Sequence, residues 1–549
     1  MIETLPADIL KMPWRQPRNI FHGQGDIHMK MKILALFGIA VLLAACPGRE
    51  AEVSGKTSGV SFEDYTVAST YLLDPDKAVP YMRLCADFWK RSYDSAHGGF
   101  FTNVAEDGTP QDKGGIGLSE NFKTTLTQSR NAYGFVRAYM VTGDRTYLDY
   151  ARKAVDFLAA HAWDKTHGGF HSVMYADGRN ADQDARFDLY HIKWSFTQHY
   201  ALLGIAALYD ATRSDQVRTF LLQGREAIDT RLWDSRPGVE GYFDKAAYDW
   251  SSPSDKGFTP TVDGITTHGE ALHLLFQEDA YTARFLALAD DIIDHLVPTV
   301  AERKLGFAES FDSTWQPKND GFLFIGHVLK SAWCLGRAYL VDPKPAYREA
   351  AELLMKEVWE KAWDKENGGP YNLGDSQRGV VTDNNKNWWT LEQAINAGLI
   401  LYYITGDKLY LKMADETVNF YMEHLVDWEH GDVYQESDNA GIIHTTPVKG
   451  DIWKAAYHSL ETGWFLYLYG HLYLNRTPVT LYYWLERAAT EQTITLNPLT
   501  IRDGTLRIQS VALNGKPTAE FDGAARRVTL PAGFTGELKV TFAVAEHNE

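Results

Sequence analysis

The stretch Trp163-Asp-Lys-Thr-His-Gly-Gly-Phe170 recurs along this chain and decides how it folds. Two close copies are Tyr93-Asp-Ser-Ala-His-Gly-Gly-Phe100 and Trp363-Asp-Lys-Glu-Asn-Gly-Gly-Pro370. Weaker copies lie at residues 239–243, 305–307 and 430–434. Six glycine-marked turns at similar intervals are typical of a repeat protein, in which each copy forms one structural unit.

A second motif separates these turns. Val141-Thr-Gly-Asp144 and Ile404-Thr-Gly-Asp407 each follow an apolar stretch of helical period. The glycine ends one helix and the aspartate caps the next, so each repeat predicts an outer and an inner helix joined by a tight turn. Six such pairs predict an all-α (α/α)6 barrel over residues 75–475, with an open solenoid as the competing arrangement.

Residues 476–549 follow a different pattern. Runs such as Thr493-Ile-Thr-Leu496 and Leu538-Lys-Val-Thr-Phe542 alternate apolar and polar side chains, and Asn514-Gly515 and Asp522-Gly523 supply turns. Period-two alternation with such turns is typical of antiparallel strands. We therefore expect a small C-terminal all-β, sandwich-like domain.

The N-terminal region reads as a targeting segment. Basic residues at 29–32 precede an apolar run that ends in Leu43-Ala-Ala-Cys46, which predicts a lipoprotein signal peptide over residues 29–45. Cys46 would then be the lipidated first residue of an exported, membrane-anchored protein, periplasmic or at the cell surface, with 46–74 as its tether. Residues 1–28 read as an extension from a start codon placed too early. A buried N-terminal helix is the alternative.

Composition and motifs exclude several classes of partner. The 549 residues carry a net charge of −18 without lysine- or arginine-rich runs, which argues against nucleic acid and leaves the lipid anchor as the only expected membrane contact. No HExxH, CxxC or glycine-rich phosphate loop is present, so we predict neither a metal nor another cofactor. Cys85 and Cys334 lie in apolar helical patterns and are expected in the core.

The predicted inner helices, over residues 121–142, 191–212, 261–277, 321–341, 386–405 and 451–473, carry polar side chains at a similar depth. They include Arg130, Gln198, His199, His268, Glu270, His327, Lys330, Lys386, Trp388, Trp389, Glu392, Lys454, Tyr457 and His458. A lone histidine in an apolar helix is often a core residue, but charged groups set among aromatics are costly unless they face a wet pocket. Paired tryptophans at a polar cavity are also suited to stacking on sugar rings.

Six motifs on these helices resemble the N-acylglucosamine 2-epimerase superfamily, which includes cellobiose 2-epimerases and mannose isomerases. In chain order they are Arg130 to Phe135, Lys193-Trp-Ser-Phe-Thr-Gln-His-Tyr200, His268-Gly-Glu270-Ala271, Gly326-His327, Lys386-Asn-Trp388-Trp389 and Lys454-Ala-Ala-Tyr457-His458. The resemblance implies a cofactor-free enzyme that removes the C2 proton of an opened aldose and returns a proton through an enediolate. It implies His327 and His458 as the proton-transfer pair and His268 as an aid to ring opening, with Arg130 and the tryptophans as sugar ligands.

Two positions depart from the family pattern. Lys330 stands where a glutamate usually follows the Gly-His pair, and Gln393 stands where the family usually has a glutamate, with Glu392 one position away. A cation in place of a carboxylate should depress the pKa of His327. Together with Lys386, Lys454 and Arg130, Lys330 predicts a cationic pocket that could recognise a carboxylate or sulfate on an acidic sugar.

Three functions follow from these observations. The first is a carbohydrate 2-epimerase or aldose–ketose isomerase acting on mono- or oligosaccharides. The second is a polysaccharide lyase or glycoside hydrolase on the same fold, with Tyr457 or His458 as base or with Glu392 and Glu270 as an acid–base pair. The third is a non-catalytic glycan-binding lipoprotein.

Overall fold

Helices dominate the computed structural model, which describes residues 64–111, 121–444, 448–486, 490–502 and 504–545. In chain order they are α1 (Thr70–Leu73), α2 (Ala78–Lys90), α3 (Thr125–Thr142), α4 (Arg145–Phe157), α5 (Ser195–Thr212), α6 (Asp215–Leu232), α7 (Glu270–Phe276), α8 (Asp279–Asp291), α9 (Ile325–Val341), α10 (Pro345–Lys361), α11 (Trp388–Thr405), α12 (Lys408–Phe420) and α13 (Tyr457–Tyr469). Two π-helical stretches, Thr259–Asp263 and Ile265–Gly269, precede α7, and a third, Gly470–Asn475, extends α13.

Two kinds of helix alternate along the chain. All residues of α13 are buried, whereas α4 buries only one stripe, which includes Tyr147, Leu148, Ala151 and Val155. A helix that is buried all round lies inside the fold, and an amphipathic one covers it. The inner helices are α3, α5, α7, α9, α11 and α13, and α2, α4, α6, α8, α10 and α12 lie outside them.

The inner helices pack in sequence around a ring. Helix α3 packs on α5, α5 on the π-helical stretches before α7, and those stretches on α9. Helix α9 then packs on α11, α11 on α13, and α13 returns to α3. This helix-rich arrangement is consistent with an (α/α)6 barrel, and the return of α13 to α3 favours a closed ring over an open solenoid.

The predicted turns between paired helices are confirmed. Gly143 ends α3 with φ 70°, and the side chain of Asp144 accepts the Thr146 N–H at the start of α4. Gly406 ends α11 with φ 73°, and Asp407 caps α12 in the same way. Both glycines adopt the left-handed conformation that other residues rarely adopt.

Short strands connect each outer helix to the next inner helix. They are β1 (Val104–Ala105), β2 (Phe122–Thr124), β3 (Val173–Tyr175), β4 (Ile192–Trp194), β5 (Trp233–Asp234), β6 (Gly241–Tyr242), β7 (Lys245–Ala247), β8 (Lys256–Gly257), β9 (Ser310–Phe311), β10 (Phe322–Phe324), β11 (Leu373–Asp375), β12 (Val380–Asp383), β13 (Lys386–Asn387), β14 (Glu436–Ser437) and β15 (Val448–Gly450). Strands β2, β4, β10 and β13 run directly into inner helices, so their side chains lie close to the N-terminal mouth of the ring.

A buried lysine–aspartate pair recurs in five of the repeats. The pairs are Lys123–Asp94 at 2.7 Å, Lys193–Asp164 at 2.8 Å, Lys256–Asp234 at 3.0 Å, Lys386–Asp364 at 3.3 Å, and Lys449–Asp427. Each aspartate stands near the start of the repeated glycine turn, and each lysine lies in a strand just before an inner helix. The pair therefore ties the turn to the mouth of the ring.

Antiparallel strands follow the last helix, as the alternating sequence predicts. They are β16 (Val479–Leu485), β17 (Gln492–Thr495), β18 (Leu506–Leu513), β19 (Lys516–Thr518), β20 (Phe521–Asp522), β21 (Arg527–Leu530) and β22 (Gly536–Val544). One sheet has the order β16-β22-β18-β19 and the other β17-β21-β20. These sheets belong to the same compact unit as the helices, Phe62–Glu549. The Arg145 guanidinium, for example, lies 3.5 Å from the centre of the Trp484 ring.

The predicted signal peptide, Cys46 and most of the tether lie outside the described residues. Among the residues that are described, none of the helices has the length and apolar character needed to cross a membrane. Cys85 and Cys334 are buried and unpaired, as expected for core residues.

Candidate active site

Two of the three candidate histidines flank one tryptophan at the N-terminal mouth of the ring. The Trp389 ring centre is 5.4 Å from that of His327 and 6.2 Å from that of His458. The three residues lie in the first turns of α9, α11 and α13. Gly326 makes this approach possible, because a Cβ there would meet the Trp389 ring at 2.4 Å.

A carboxylate lies beside the ring of His327. Its Nδ1 lies 3.0 Å from Oε1 of Glu309, which also accepts the Phe324 N–H at 2.7 Å. The ring stacks on Phe258 with centres 3.7 Å apart, and 18% of the side chain stays exposed. The sequence predicts that Lys330 replaces a carboxylate beside His327. A carboxylate is nevertheless present there, and Glu309 supplies it.

His458 has a carboxylate partner of its own. Its Nδ1 lies 3.2 Å from Oε2 of Glu392, and its ring centre is 4.2 Å from that of Tyr457. Burial lowers the pKa of His458 well below its usual value, and the charges of Arg130, Lys330 and Lys454 lower it further. His458 is therefore neutral at neutral pH and able to accept a proton.

The two environments leave the same nitrogen available on each ring. The hydrogen bond between Glu392 and Nδ1 of His458 fixes the orientation and tautomer of that imidazole and leaves Nε2 for a substrate. Glu309 lies at ion-pair distance from Nδ1 of His327 and places a negative charge beside that ring. Among the described residues, neither His327 nor His458 has a hydrogen bond to Nε2. Both imidazoles thus lie beside Trp389 at the mouth of the ring.

Glu461 completes a buried acidic cluster behind His458. Donor atoms of Glu392, His458 and Glu461 lie within 4.8 Å of one another, a spacing that a metal ion could bridge. The amides of Gln393 and Asn396 already donate to Glu392, however, and its surroundings include the charges of Lys330 and Arg337. These positive charges oppose the binding of a metal cation, and they favour an arrangement in which Glu392 and Glu461 share protons. The other grouping of this kind in the described residues, Glu106, Asp427 and His430, is already bound by Lys449 through Asp427.

Arg130 joins the site from α3. Its guanidinium lies 4.4 Å from the centre of the Tyr200 ring and 5.8 Å from that of Tyr457, and it donates to the Trp453 carbonyl. Trp388 lies on the other side, 6.2 Å from the His458 ring. The structure therefore brings together His327, His458, Arg130, Trp388, Trp389, Glu392 and Tyr457.

The lysines do not form the expected cationic pocket. Lys330 lies 2.5 Å from Asp263, Lys454 pairs with Asp432, and Lys386 lies 3.3 Å from Asp364. Burial opposes the charge on Lys330, yet Asp263 and Tyr200 raise its pKa above the usual value. Each positive charge is neutralised by a buried aspartate, and Lys386 belongs to the recurring pairs of the fold.

His268 and His199 form a separate pair. Their Nε2 and Nδ1 atoms are 2.9 Å apart, and both side chains are fully buried. His268 faces the charges of Arg225 and Arg284, which belong to the outer helices α6 and α8. The structure thus places this pair close to the outer-helix residues Arg225 and Arg284, and His268 has no ring contact with Trp389 among the described residues.

Gln198 and Glu270 also have structural partners. The Gln198 side chain accepts the Phe170 N–H at 2.8 Å and donates to the Phe170 carbonyl at 2.9 Å, so it holds the glycine turn. Glu270 lies 2.5 Å from Arg337 and accepts a hydrogen bond from Thr500. Neither side chain points a free group toward the histidines.

Two acidic residues of the site are not evident from the sequence motifs. Glu309 lies in the irregular segment before α9, and Asp263 lies in the π-helical segment before α7. Helical spacing identifies Glu461, three residues after His458, whereas Glu309 and Asp263 are brought to the site by tertiary contacts.

Oriented histidines with carboxylate partners, beside stacking aromatics and an arginine, define an enzyme site for acid–base chemistry on a small polar substrate. The N-acylglucosamine 2-epimerase (GlcNAc 2-epimerase) family model matches residues 98–462, and the chain belongs to this family. The chain is 25% identical over 400 residues to a cellobiose 2-epimerase of Eubacterium cellulosolvens, with 68% of this chain and 92% of that protein covered.

Two further comparisons agree with this assignment. The chain is 23% identical to a D-mannose isomerase of Marinomonas mediterranea, across 66% of this chain and 89% of the relative. The structure of cellobiose 2-epimerase from Spirochaeta thermophila matches with a TM-score of 0.63 at 22% identity, covering 74% of this chain and 97% of that one, which supports the same fold.

Proposed function

We propose that this protein is a carbohydrate 2-epimerase or aldose–ketose isomerase that uses His327 and His458 as its acid–base pair. The observation that carries the proposal is the placement of two imidazoles, each with a carboxylate beside its Nδ1, on either side of Trp389. Cellobiose 2-epimerase and D-mannose isomerase relatives support the same reaction class.

The geometry suits a proton transfer at C2 of an open-chain aldose. Neutral His458 accepts the C2 proton through Nε2, and the Arg130 guanidinium stabilises the oxyanion of the enediolate. His327 handles the second proton. Delivery to the other face of C2 gives the 2-epimer, and delivery to C1 gives the ketose. Trp389 stacks on the sugar between the two rings.

A neutral sugar fits this site better than an acidic one. The ammonium groups of Lys330, Lys386 and Lys454 are paired with aspartates, so among the described residues of the expected pocket only Arg130 is left to attract a substrate carboxylate. The names of the relatives indicate monosaccharides and short β-linked glucosides as the first substrates to test.

A lyase or hydrolase mechanism has less support. Glu270 is bound to Arg337 and Thr500, while Glu392 is buried and bound by two amides, so they do not form an acid–base pair facing a substrate. A purely glycan-binding role would leave the two histidine–carboxylate pairs without a purpose.

We also propose the organisation of the chain around this site. Residues 75–475 would form the (α/α)6 barrel and 476–549 a sandwich-like accessory region. The signal-peptide pattern ending at Cys46 supports export and lipid anchoring at the periplasm or the cell surface. Labelling of the expressed protein with a lipid precursor, compared with Cys46→Ala, tests the anchor.

The reaction is tested by incubating the purified protein with cellobiose, mannose and glucose and following the sugars by NMR. We expect a 2-epimer or a ketose to appear from at least one sugar, and His458→Asn to abolish the conversion. No conversion of any of them would contradict the proposal. Unsaturated uronate absorbance from alginate- or pectin-like polymers would indicate a lyase instead.

A further inference from the structure

A small, partly open cavity lies between the inner helices, on the far side of Glu461 from His458; we call it the second cavity, to distinguish it from the mouth of the ring. Its volume is about 60 Å³, which is room for a few water molecules. The C-terminal halves of inner helices form its walls, and the segment from Asn497 to Leu499 of the sheet region lies at its far end. Glu461, Tyr133 and Arg337 are among the buried polar residues that line it.

Glu461 belongs both to this cavity and to the acidic cluster of the active site. It lies one helical turn after His458 on α13, and its carboxylate, the Glu392 carboxylate and a ring nitrogen of His458 all lie within 4.8 Å of one another. Its Oε1 accepts the Tyr133 hydroxyl at 3.0 Å, while its Oε2 is buried without a hydrogen-bond partner among the described residues. Since no direct ion pair holds it, Glu461 needs a role beyond packing.

We propose that Glu392 and Glu461 form a proton relay between Nδ1 of His458 and water in this second cavity. The proposal rests on the proposed function, because it describes how His458 exchanges a proton taken from the sugar. It makes Glu461 a positioning and relay residue that does not touch the substrate.

The relay changes only N–H and O–H bonds. When Nε2 of His458 accepts the C2 proton, the ring becomes an imidazolium. Its Nδ1 proton passes to Glu392, and the carboxyl pair releases one proton from Glu461 to a water molecule in the cavity. The reverse sequence returns a proton to Nδ1, so atoms and charge balance in both directions. Without this path, the proton on His458 could only return to the sugar.

The surroundings of the pair suit a shared proton. The groups that face it are Arg337 and Lys330 from α9, Tyr133 from α3, Tyr457 and His458 from α13, and the amides of Gln393 and Asn396 on its own helix. Burial raises the pKa of Glu392, and the nearby charge of Glu461 raises it further. Burial also raises the pKa of Glu461, against the effects of Arg337 and Tyr133.

The test measures the fate of deuterium at C2. A sugar that the wild type converts is deuterated at C2 and incubated in ordinary water, and NMR gives the fraction of the unconverted sugar that still carries deuterium at a matched extent of conversion, because His458 returns its proton to this sugar. Glu461→Gln keeps the shape but cannot carry a proton, so we expect it to raise this retained fraction several-fold. An unchanged fraction in folded E461Q protein overturns the relay, whatever happens to the overall rate.

Two further variants make the result specific. Asp210→Asn alters the same cavity but changes a carboxylate that pairs with Arg137 at 2.9 Å, so we expect wild-type retention. An equal rise in D210N would overturn the relay. If E461Q does not fold, Tyr133→Phe removes the hydrogen bond to Glu461 and should raise retention less strongly, and no rise would overturn the proposal. Failure of the wild type to convert any sugar overturns the proposed function itself.

Discussion

At the scale of single residues, Glu309 has a specific effect on His327. Its carboxylate lies 3.0 Å from Nδ1 and is itself held by the Phe324 N–H. Because orientation of an acid–base group contributes part of its catalytic effect, Glu309→Gln should lower kcat/KM by about tenfold to a hundredfold. Steady-state kinetics measure this, and exposed Glu302→Gln is the matched control. Equal values for both variants would contradict the role of Glu309.

The buried His199–His268 pair should make stability depend on pH. Burial lowers the pKa of His199 to about 4, and burial lowers that of His268 well below its usual value. The unfolded chain binds protons near pH 6.5 whereas the native pair does not, so this contribution to the free energy of unfolding is lost as pH falls below 6.5. For His199 the loss is on the order of 3 kcal/mol by about pH 4.

The effect is measured as the change in unfolding free energy between pH 7 and pH 5, from urea denaturation. Other groups act in the opposite direction, since burial raises the pKa of Asp291 to about 8. The comparison between the wild type and a double H199N/H268N variant isolates the histidines. We expect the double variant to lose less stability on acidification, and identical pH slopes would show that the pair is not buried neutral.

Sequence predicted the residues of the site better than their partners. The motifs identify His327, His458, Arg130 and Trp389, because each occupies the first turns of an inner helix. They do not identify Glu309 or Asp263, since tertiary contacts bring these carboxylates to the site. His268 has a motif as clear as that of His327, but it lies in a π-helical stretch and pairs with His199 instead. Local spacing cannot show such a difference.

At the scale of elements, buried lysine–aspartate pairs fix the turns to the inner helices. Lys386→Met would leave Asp364 in a buried site without its cation, and should destabilise the protein by about 3–5 kcal/mol. Chemical denaturation measures the loss. The control Lys361→Met breaks an exposed pair with Glu357 and should change stability by no more than about 1 kcal/mol. A Lys386→Met variant as stable as the control would assign this lysine to the substrate instead.

The helices and their turns follow directly from sequence. Gly143-Asp144 and Gly406-Asp407 specify both the end of one helix and the cap of the next, through backbone conformation and side-chain hydrogen bonds that act within a few residues. The irregular stretch before α7 has no such local signal. There a regular inner helix was expected over residues 261–277, and the structure instead has two π-helical stretches before a short α-helix.

At the scale of the whole molecule, the sheet region contacts the ring near its second cavity. The Thr500 hydroxyl donates to Glu270, the Thr500 carbonyl accepts from Tyr473, and Asn497 donates to the Leu274 carbonyl. Thr500→Val would leave a buried carboxylate oxygen without its donor and should cost about 1–3 kcal/mol of stability. Denaturation of this variant is compared with that of Thr493→Val, which alters an exposed cross-strand pair. Equal stability would mean that this contact does not hold the region in place.

The central claim, that two histidines act on one bound sugar, is tested most directly by deuterium exchange into single variants. With a converted sugar and its 2-epimer or ketose in D2O, the wild type should exchange and interconvert both. His327→Asn and His458→Asn should each lose interconversion, while each variant still exchanges the proton of only one partner, at C2 of an aldose or at C1 of a ketose, and a different partner in each case. Interconversion that persists in either variant would contradict the account.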